Sequence, residues 1–357
     1  MSGVREPIAM VACSTDTTCA TDPSWLTRDE LLLRSSRHAL APLVAHGLEQ
    51  SGVSSGDALL LMVSGGADSV AMMLLIAALR ERTDPTLASI SVLTINHGLR
   101  SEAVAECAFV VALAHHLGIR DVHSESVVLP RTGNMLECAR EARLGVAARI
   151  CARVGSAIAV QAHHADDRAE GVLLALVRAK ALESFASLLP MREFADDLRV
   201  ARPMLNTRRE ELRAFLRAIE IEWHEDPSNA SHERGALRSD PGLARLVEQI
   251  ALGAAVLSDE AEQLLELRDT LAAHIAPVGV TSITRATMDE APHALHATVL
   301  RRLVHAAGGD IARPTLAAAL RVLRDPQRAP KSFDCSGAVC LIINAREVTA
   351  DHITAQG

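Results

Sequence analysis

Up to about residue 220 the chain alternates between short apolar runs and longer, mostly apolar stretches of helical length. Asp57 to Val63 is nearly continuously apolar and predicts a buried strand, Ser64 to Ser69 is a Gly-containing turn, and Val70 to Arg80 has the length and composition of a buried helix. The pattern repeats with a strand at Ala88 to Ile95, a turn at Asn96 to Gly98 and a helix from Glu102 to Leu117. Val122 to Val128 and Leu136 to Val154 form the next strand and helix, and Ala157 to Gln161 with Asp166 to Val177 the last pair. Such alternation predicts βαβ units and a parallel sheet covered by helices on both faces. Ahead of it, Thr27 to Glu30 reads as a capping box opening one helix that runs towards His46.

Further on the helical period dominates. Glu210 to Ile219 is a helix, Asp226 to Asn229 a turn, and Leu243 to His274 a helix long enough to connect two domains. Ala294 to Ala307 and Arg313 to Leu323 are two more helices, and Val339 to Asn344 is a terminal strand. The expected organisation is a loose tail over 1–24, an α/β nucleotide-binding domain over 25–240 and a smaller, mainly helical domain over 241–357.

Composition narrows the class. With 357 residues, 49% of them hydrophobic, the chain can bury full cores in two domains. Its longest apolar runs, such as Ala58 to Val63 and Ala71 to Leu79, fall short of the roughly 20 residues that cross a bilayer. Pro7 to Ala12 is too short for a secretory core. The seven cysteines form no CxxC pair and read as reduced thiols, so the expected compartment is the cytoplasm. A net charge of -8 argues against a general nucleic-acid coat, but local windows differ. From Arg199 to Arg217 six arginines face two glutamates, and from Arg301 to Lys331 seven basic residues face Asp310 and Asp325. Solvated helix faces and phosphate contacts both explain such windows.

The sharpest chemical signal is Ser64-Gly65-Gly66-Ala67-Asp68-Ser69, set between an apolar strand and a helix. Two glycines let successive N–H groups turn into one concavity, and the following helix adds its positive end, which together make an anion cradle. Ser64 and Ser69 can donate to phosphate, whereas Asp68 would repel it unless Mg²⁺ bridges the two. No GxxxxGK[ST] is present, so this is not a Walker loop. Asn96-His97-Gly98-Leu99-Arg100 follows the second strand, and His163-His164-Ala165-Asp166-Asp167 the fourth. Both therefore lie with the first loop at the carboxyl edge of the sheet, where open α/β folds bind ligands. Helix capping and zinc binding are alternative uses of the His-Asp segment.

The hexapeptide resembles the pyrophosphate-binding loop of the ATP-pyrophosphatase (PP-loop) superfamily, whose members cleave ATP to AMP and pyrophosphate while adenylating a substrate oxygen. Within it, Asn96 to Arg100 and His163 to Asp167 resemble the NHGLR and HHADD motifs of the tRNA(Ile)-lysidine synthetase family. Ala139-Arg140 with Arg143 matches part of an AR..RY segment, Arg202 to Leu205 matches RPLL, and Trp223 to Asn229 resembles W.ED.SN. Departures are Ala162, Arg168 and Gly171 around HHADD, Leu144 for the tyrosine, Arg178-Ala179-Lys180-Ala181 for RG.G, and Arg234-Gly235 for an RN pair.

This resemblance implies an ATP- and Mg²⁺-dependent ligase acting on the wobble cytidine of a tRNA(Ile) with a CAU anticodon. ATP adenylates the C2 oxygen, and the ε-amine of free L-lysine then displaces AMP. Asp68, His164 and Asp167 are the catalytic candidates, with Asp68 also the metal ligand. Ser64, Gly65, Gly66, Ala67, Asp68, Ser69, Asn96 and His97 are expected to hold the nucleotide. Arg100, Arg140, Arg178, Arg202, Arg301 and Arg302 are expected to contact the RNA. A different PP-loop tRNA-modifying enzyme such as a thiolase, and a non-catalytic RNA-binding paralogue, remain as alternatives. Monomer and homodimer are equally compatible with the sequence.

Overall fold

The computed structural model describes residues 10–12, 25–82, 89–96, 102–127, 135–155, 158–178, 180–186, 188–194, 198–225, 233–325 and 329–352. His97, Arg100, Ala179 and the expected turn at 226–229 lie outside them. Packing divides the chain into two compact units, Met1–Asp259 and Glu260–Gly357.

The first unit holds the predicted parallel sheet. Its strands are β1 (Met10–Ala12), β2 (Ala58–Met62), β3 (Ser89–Asn96), β4 (Val122–Val127), β5 (Ile158–Val160), β6 (Met191–Glu193) and β7 (Arg199–Ala201), in the order β1-β4-β3-β2-β5-β7-β6. The inner strands are parallel, while β1 pairs antiparallel with β4 and β6 antiparallel with β7. Met10–Ala12, within the stretch read as a loose tail, is therefore an edge strand. The β6–β7 hairpin has no counterpart in the sequence pattern, because three-residue strands are too short to show a period.

Helices α1 (Arg28–Arg37) and α2 (Leu40–Gln50) precede the sheet, and α3 (Ala67–Arg82), α4 (Glu102–His116), α5 (Met135–Val154) and α6 (Ala165–Val177) follow successive strands. Then come α7 (Arg209–Ala218), α8 (Glu233–Ser239) and the long α9 (Pro241–Ile275). Thr27 caps α1 as expected by accepting the Glu30 N–H, but the single helix drawn towards His46 is two. Pro42 has no N–H to give the His38 carbonyl, so the first helix stops at an extended His38 and a second starts with Pro42 in its first turn.

The alternation of the strands sorts the core into two layers. Leu59, Leu61 and Val63 face a cluster with α1, α2, α3, α4 and α7, while Leu60 faces a separate cluster built on Ala142, Val146 and Ile150 of α5. Helix α3 is apolar all round and buried throughout from Val70 to Ala78, as a helix at the centre of a layer must be. Burying each such leucine contributes about 2 kcal/mol.

In the second unit, β8 (Ser282–Thr284), β9 (Lys331–Cys335), β10 (Val339–Ile343) and β11 (Glu347–His352) form an antiparallel sheet in the order β8-β11-β10-β9. It packs with α10 (Arg285–Glu290), α11 (His293–Ala306) and α12 (Arg313–Leu323) around Val299, Leu303, Leu341 and Val348. The sequence pattern showed β10 alone, since β8, β9 and β11 are half polar. No helix among the described residues is long and apolar enough to cross a membrane.

One close approach ties α2 to the segment after β7: a Cβ at Gly47 would overlap the Pro203 carbonyl oxygen. Gly47→Ala gains up to about 1 kcal/mol of helix propensity. It meets backbone, which cannot yield as a side chain would, so overpacking of about 1–3 kcal/mol prevails. The expected outcome is a lower melting temperature; an unchanged or raised midpoint would show that α2 and residue 203 do not pack this closely.

Candidate active site

Strand order places the site. The chain passes from β2 outward to β3 and β4, then returns to β5 on the other side of β2. The loops after β2 and β5 therefore diverge at a topological switch point, the position where parallel sheets leave a crevice.

The loop after β2 is held by its own serines. Gly65 has φ +89, a left-handed conformation that favours glycine. Ser69 Oγ donates to the Gly66 carbonyl at 3.0 Å and accepts the Ser64 N–H at 3.2 Å. Ser69 is thus a buried strut, while Ser64 is exposed. The Val70 N–H bonds the Gly66 carbonyl, so α3 starts at once and the N–H groups of Ala67, Asp68 and Ser69 have no partner within the helix. The nearest atoms to a Cβ at Gly66 would be Ser64 Oγ at 3.7 Å and the His224 carbonyl oxygen at 3.8 Å. The fold itself tolerates a methyl there, so glycine at 66 leaves room for something else. The Trp223-His224-Glu225 segment closes one side, with the His224 N–H on the Gly65 carbonyl at 3.0 Å.

The loop after β5 delivers His164 as the N-cap of α6. Its Nδ1 accepts the Asp167 N–H at 3.3 Å, and the Asp167 carboxylate accepts the His164 N–H at 3.1 Å, a reciprocal capping box. Accepting that bond occupies the Nδ1 lone pair, which leaves the ring proton on Nε2. Nε2 lies 3.4 Å from Asp68 Oδ2 and 3.4 Å from Asp167 Oδ2. Burial lowers the pKa of His164, but the Asp167 and Asp68 carboxylates outweigh it and hold the pKa above the ordinary imidazole value.

Around this contact the first turns of α6 form a buried ionic lattice. Asp166 accepts from Arg208 Nη2 at 2.7 Å and from the Arg209 N–H at 2.7 Å. Glu170 accepts from Arg209 Nη2 at 2.8 Å and Arg238 Nε at 2.7 Å, and Asp167 from Arg238 Nη2 at 2.9 Å. Burial pushes Asp167 up, but His164, His163 and Arg238 overcome it and keep the group well below the usual carboxylate range. Arg208, Arg209 and Arg238 carried no motif; their signal in the sequence was only the excess of arginine. Removing one partner of such a buried pair costs about 3–5 kcal/mol.

The remaining expected site residues divide. Asn96 ends β3 at the same sheet edge. Arg202 is buried, with Nε on His163 Nδ1 at 3.3 Å and Nη1 on the Leu189 carbonyl at 2.9 Å, so it presents no face to an external ligand. Arg140 is exposed on α5. Arg178 caps the C-terminus of α6 and pairs with Glu233. In the second unit Arg301 is exposed, whereas Arg302 donates to the Ala276 carbonyl at 2.9 Å.

Among the described residues no three His, Cys, Asp or Glu side chains are arranged to hold a metal. The donor set fits Mg²⁺ in a different way, because Asp68 Oδ1 is buried without a hydrogen-bond partner at the start of α3, beside N–H groups that have no partner within the helix. One carboxylate completed by phosphate oxygens and water is a common Mg²⁺ arrangement.

A model described as the PP-loop domain matches residues 37–240. A tRNA(Ile)-lysidine synthase of Bradyrhizobium diazoefficiens is 32% identical to this chain over 75% of it and 78% of the relative. The chain belongs to the tRNA(Ile)-lysidine synthase family. A Ruegeria pomeroyi member is 34% identical over 64% of this chain but 54% of its own length, so the chain spans about half of some family members. Among solved structures, a U34-tRNA thiolase from Methanococcus maripaludis with its [4Fe-4S] cluster aligns with a TM-score of 0.53 at 15% identity, covering 67% of this chain and 80% of that one. That likeness concerns the fold alone. Departures from the lysidine synthase motifs are accommodated locally: Arg168 pairs with Asp259 at 3.3 Å, and Leu144 packs on the α5 cluster.

His163 gives the lattice a pH signature. Burial, with Arg202 and Arg234 nearby, lowers its pKa to about 3, although Asp167 acts the other way. Between pH 6.5 and that value the unfolded chain binds a proton that the folded chain excludes, so stability falls as pH drops through this window. His38 and His296, also lowered by burial, add to the slope, while His164, whose pKa is raised by its carboxylates, opposes it. In thermal melts from pH 7 to 5, His163→Gln is expected to flatten the fall in melting temperature without abolishing it. An unchanged slope would show that His163 is protonated in the folded protein.

Proposed function

We propose that this protein converts the wobble cytidine of a tRNA(Ile) with a CAU anticodon to lysidine, using ATP and free L-lysine in the cytoplasm. The observation that carries this reading is the meeting of the PP loop and the HHADD segment at one switch point, with His164 Nε2 3.4 Å from Asp68.

The cytidine C2 oxygen attacks the α-phosphorus of ATP and pyrophosphate leaves. The lysine ε-amine then adds at C2, and AMP departs with the former C2 oxygen. The free N–H groups at the start of α3 and the exposed Ser64 hydroxyl bind phosphate oxygens, and the helix end offsets charge developing on the departing pyrophosphate. Mg²⁺, when held by Asp68, neutralises further charge on those phosphates. His164 is wholly buried and Asp167 nearly so. We therefore assign both as positioning residues: His164 aims the Asp68 carboxylate, and Asp167 with Arg238 fixes the His164 ring. Asn96 borders the nucleotide crevice, with His97 beside it in sequence. Arg100 and Arg140 serve the RNA side of the site, and Arg178 extends it along α6.

Asp68→Asn is expected to lower incorporation of labelled lysine into a tRNA(Ile) transcript by at least about 100-fold, with the protein still folded at the assay temperature. Wild-type incorporation by this variant, or incorporation that does not require ATP, would overturn the assignment.

We further propose that the second unit engages tRNA phosphates through exposed Arg301, Arg321 and Arg324. Replacing all three with alanine is expected to weaken tRNA binding and to lower the salt dependence by about 0.9 for each duplex phosphate that is no longer neutralised. Equal affinity and equal salt slope would confine recognition to the first unit.

A further inference from the structure

At the β5–β7 side of the sheet edge four arginines come together in a manner unlike the lattice of α6. Helix α5 leads back into β5, so its first half lies at the carboxyl edge of the sheet, where it carries Arg140 and Arg143. Arg192 lies on β6, and Arg202 follows β7. Between two of them stands Phe194, whose ring centroid is 5.9 Å from the Arg140 guanidinium carbon and 5.3 Å from that of Arg192. Arg208, Arg209 and Arg238 are each matched to a carboxylate. Among the described residues no carboxylate pairs with Arg140, Arg143, Arg192 or Arg202. Burial first, and then Arg192 and Arg140, lower the Arg202 pKa to about 10.

Guanidinium groups that repel one another swing apart into solvent unless something anchors them. Phe194 supplies the anchor: its N–H bonds the Leu198 carbonyl at 2.8 Å, and its ring packs on the cluster beneath α5. Cation–π contact holds the guanidinium groups of Arg140 and Arg192 at the ring. Arg140, Arg143 and Arg192 are exposed. A guanidinium fork matches a phosphate in geometry as well as charge. Several forks spread over α5 and β6 exceed what one carboxylate neutralises, but suit a nucleic-acid backbone with a charge at every nucleotide.

We propose that Arg140 and Arg192, ordered by Phe194, together with Arg143 one helical turn on, bind phosphodiester groups of the single-stranded RNA flanking the reacting cytidine. This rests on the RNA-modifying reading of the neighbouring crevice. Arg192 and Phe194 belong to none of the motifs that define that crevice; they enter through the β6–β7 hairpin.

The test uses the full chain and an unmodified tRNA(Ile) transcript with a CAU anticodon, with affinity measured across a potassium chloride series. Arg192→Gln and Arg140→Gln are each expected to weaken binding about 5-fold and to reduce the slope of log K against log salt by about 0.7, the value for one phosphate on a single strand. Phe194→Leu keeps every charge, so affinity should fall while the slope stays. Binding of a fluorescent ATP analogue should be unchanged in all three variants. Unchanged tRNA affinity and slope in both arginine variants would overturn the proposal, and so would unchanged RNA binding with a raised KM for lysine, which would make a carboxylate the anion. A wild-type protein that incorporates no lysine, yet loses slope on Arg192→Gln, would remove the enzymatic reading and leave this site in place. Lysine incorporation with an unaltered slope would do the reverse.

Discussion

Everything at the site depends on one buried contact, the imidazole of His164 lying between the carboxylates of Asp68 and Asp167. Asp68 sits at the positive end of α3, just after the Gly-Gly turn, and Asp167 lies in the first turn of α6. A neutral ring with its proton on Nε2 can face both acids while Nδ1 accepts the Asp167 N–H. The contact therefore holds the two helix starts at a fixed separation while leaving Asp68 Oδ1 without a partner. A carboxylate with one oxygen engaged and one free is prepared to bind a cation without reorganising.

Holding that contact in a dry environment needs compensation, which arginines from outside the motif provide. Asp166, Asp167 and Glu170 would be unstable as buried anions without Arg208, Arg209 and Arg238, which reach in from α7 and α8. The lattice thus connects elements far apart in sequence, and the rigidity of the crevice comes from all of them. It also explains how Arg168 is tolerated where the family pattern has glutamine: another cation in an acidic lattice finds Asp259.

Two arginine populations follow from this arrangement. Those around α6 are neutralised internally and act as structure; Arg202, buried against His163 and the Leu189 carbonyl, is also turned inward despite its place in a motif, though it meets no carboxylate among the described residues. Those around Phe194 have no internal counter-charge among the described residues. An acidic protein can still engage a polyanion when its positive charge is divided in this way, because affinity follows the local field and not the net charge.

The parallel sheet, the Gly-Gly turn between β2 and α3 and the long helix were legible from residue order alone, because burial on both faces demands continuous apolar runs and a tight strand-to-helix turn favours glycine. The family resemblance was legible for the same reason: its motifs sit at strand ends, where chemistry and backbone geometry both restrict the residue. Periodicity did not reveal the break at Pro42, the three-residue strands β6 and β7, or the half-polar strands of the second sheet, since none spans enough residues or buries a clean face. Roles were decided only by tertiary structure. Sequence placed His164 and Asp167 at the sheet edge beside the Gly-Gly loop, but only packing shows that they are shielded from solvent and that the His164 ring meets Asp68. Sequence likewise counted arginines between 199 and 217 without distinguishing them. Whether an arginine faces a carboxylate, a carbonyl or an aromatic ring depends on neighbours brought together by the fold.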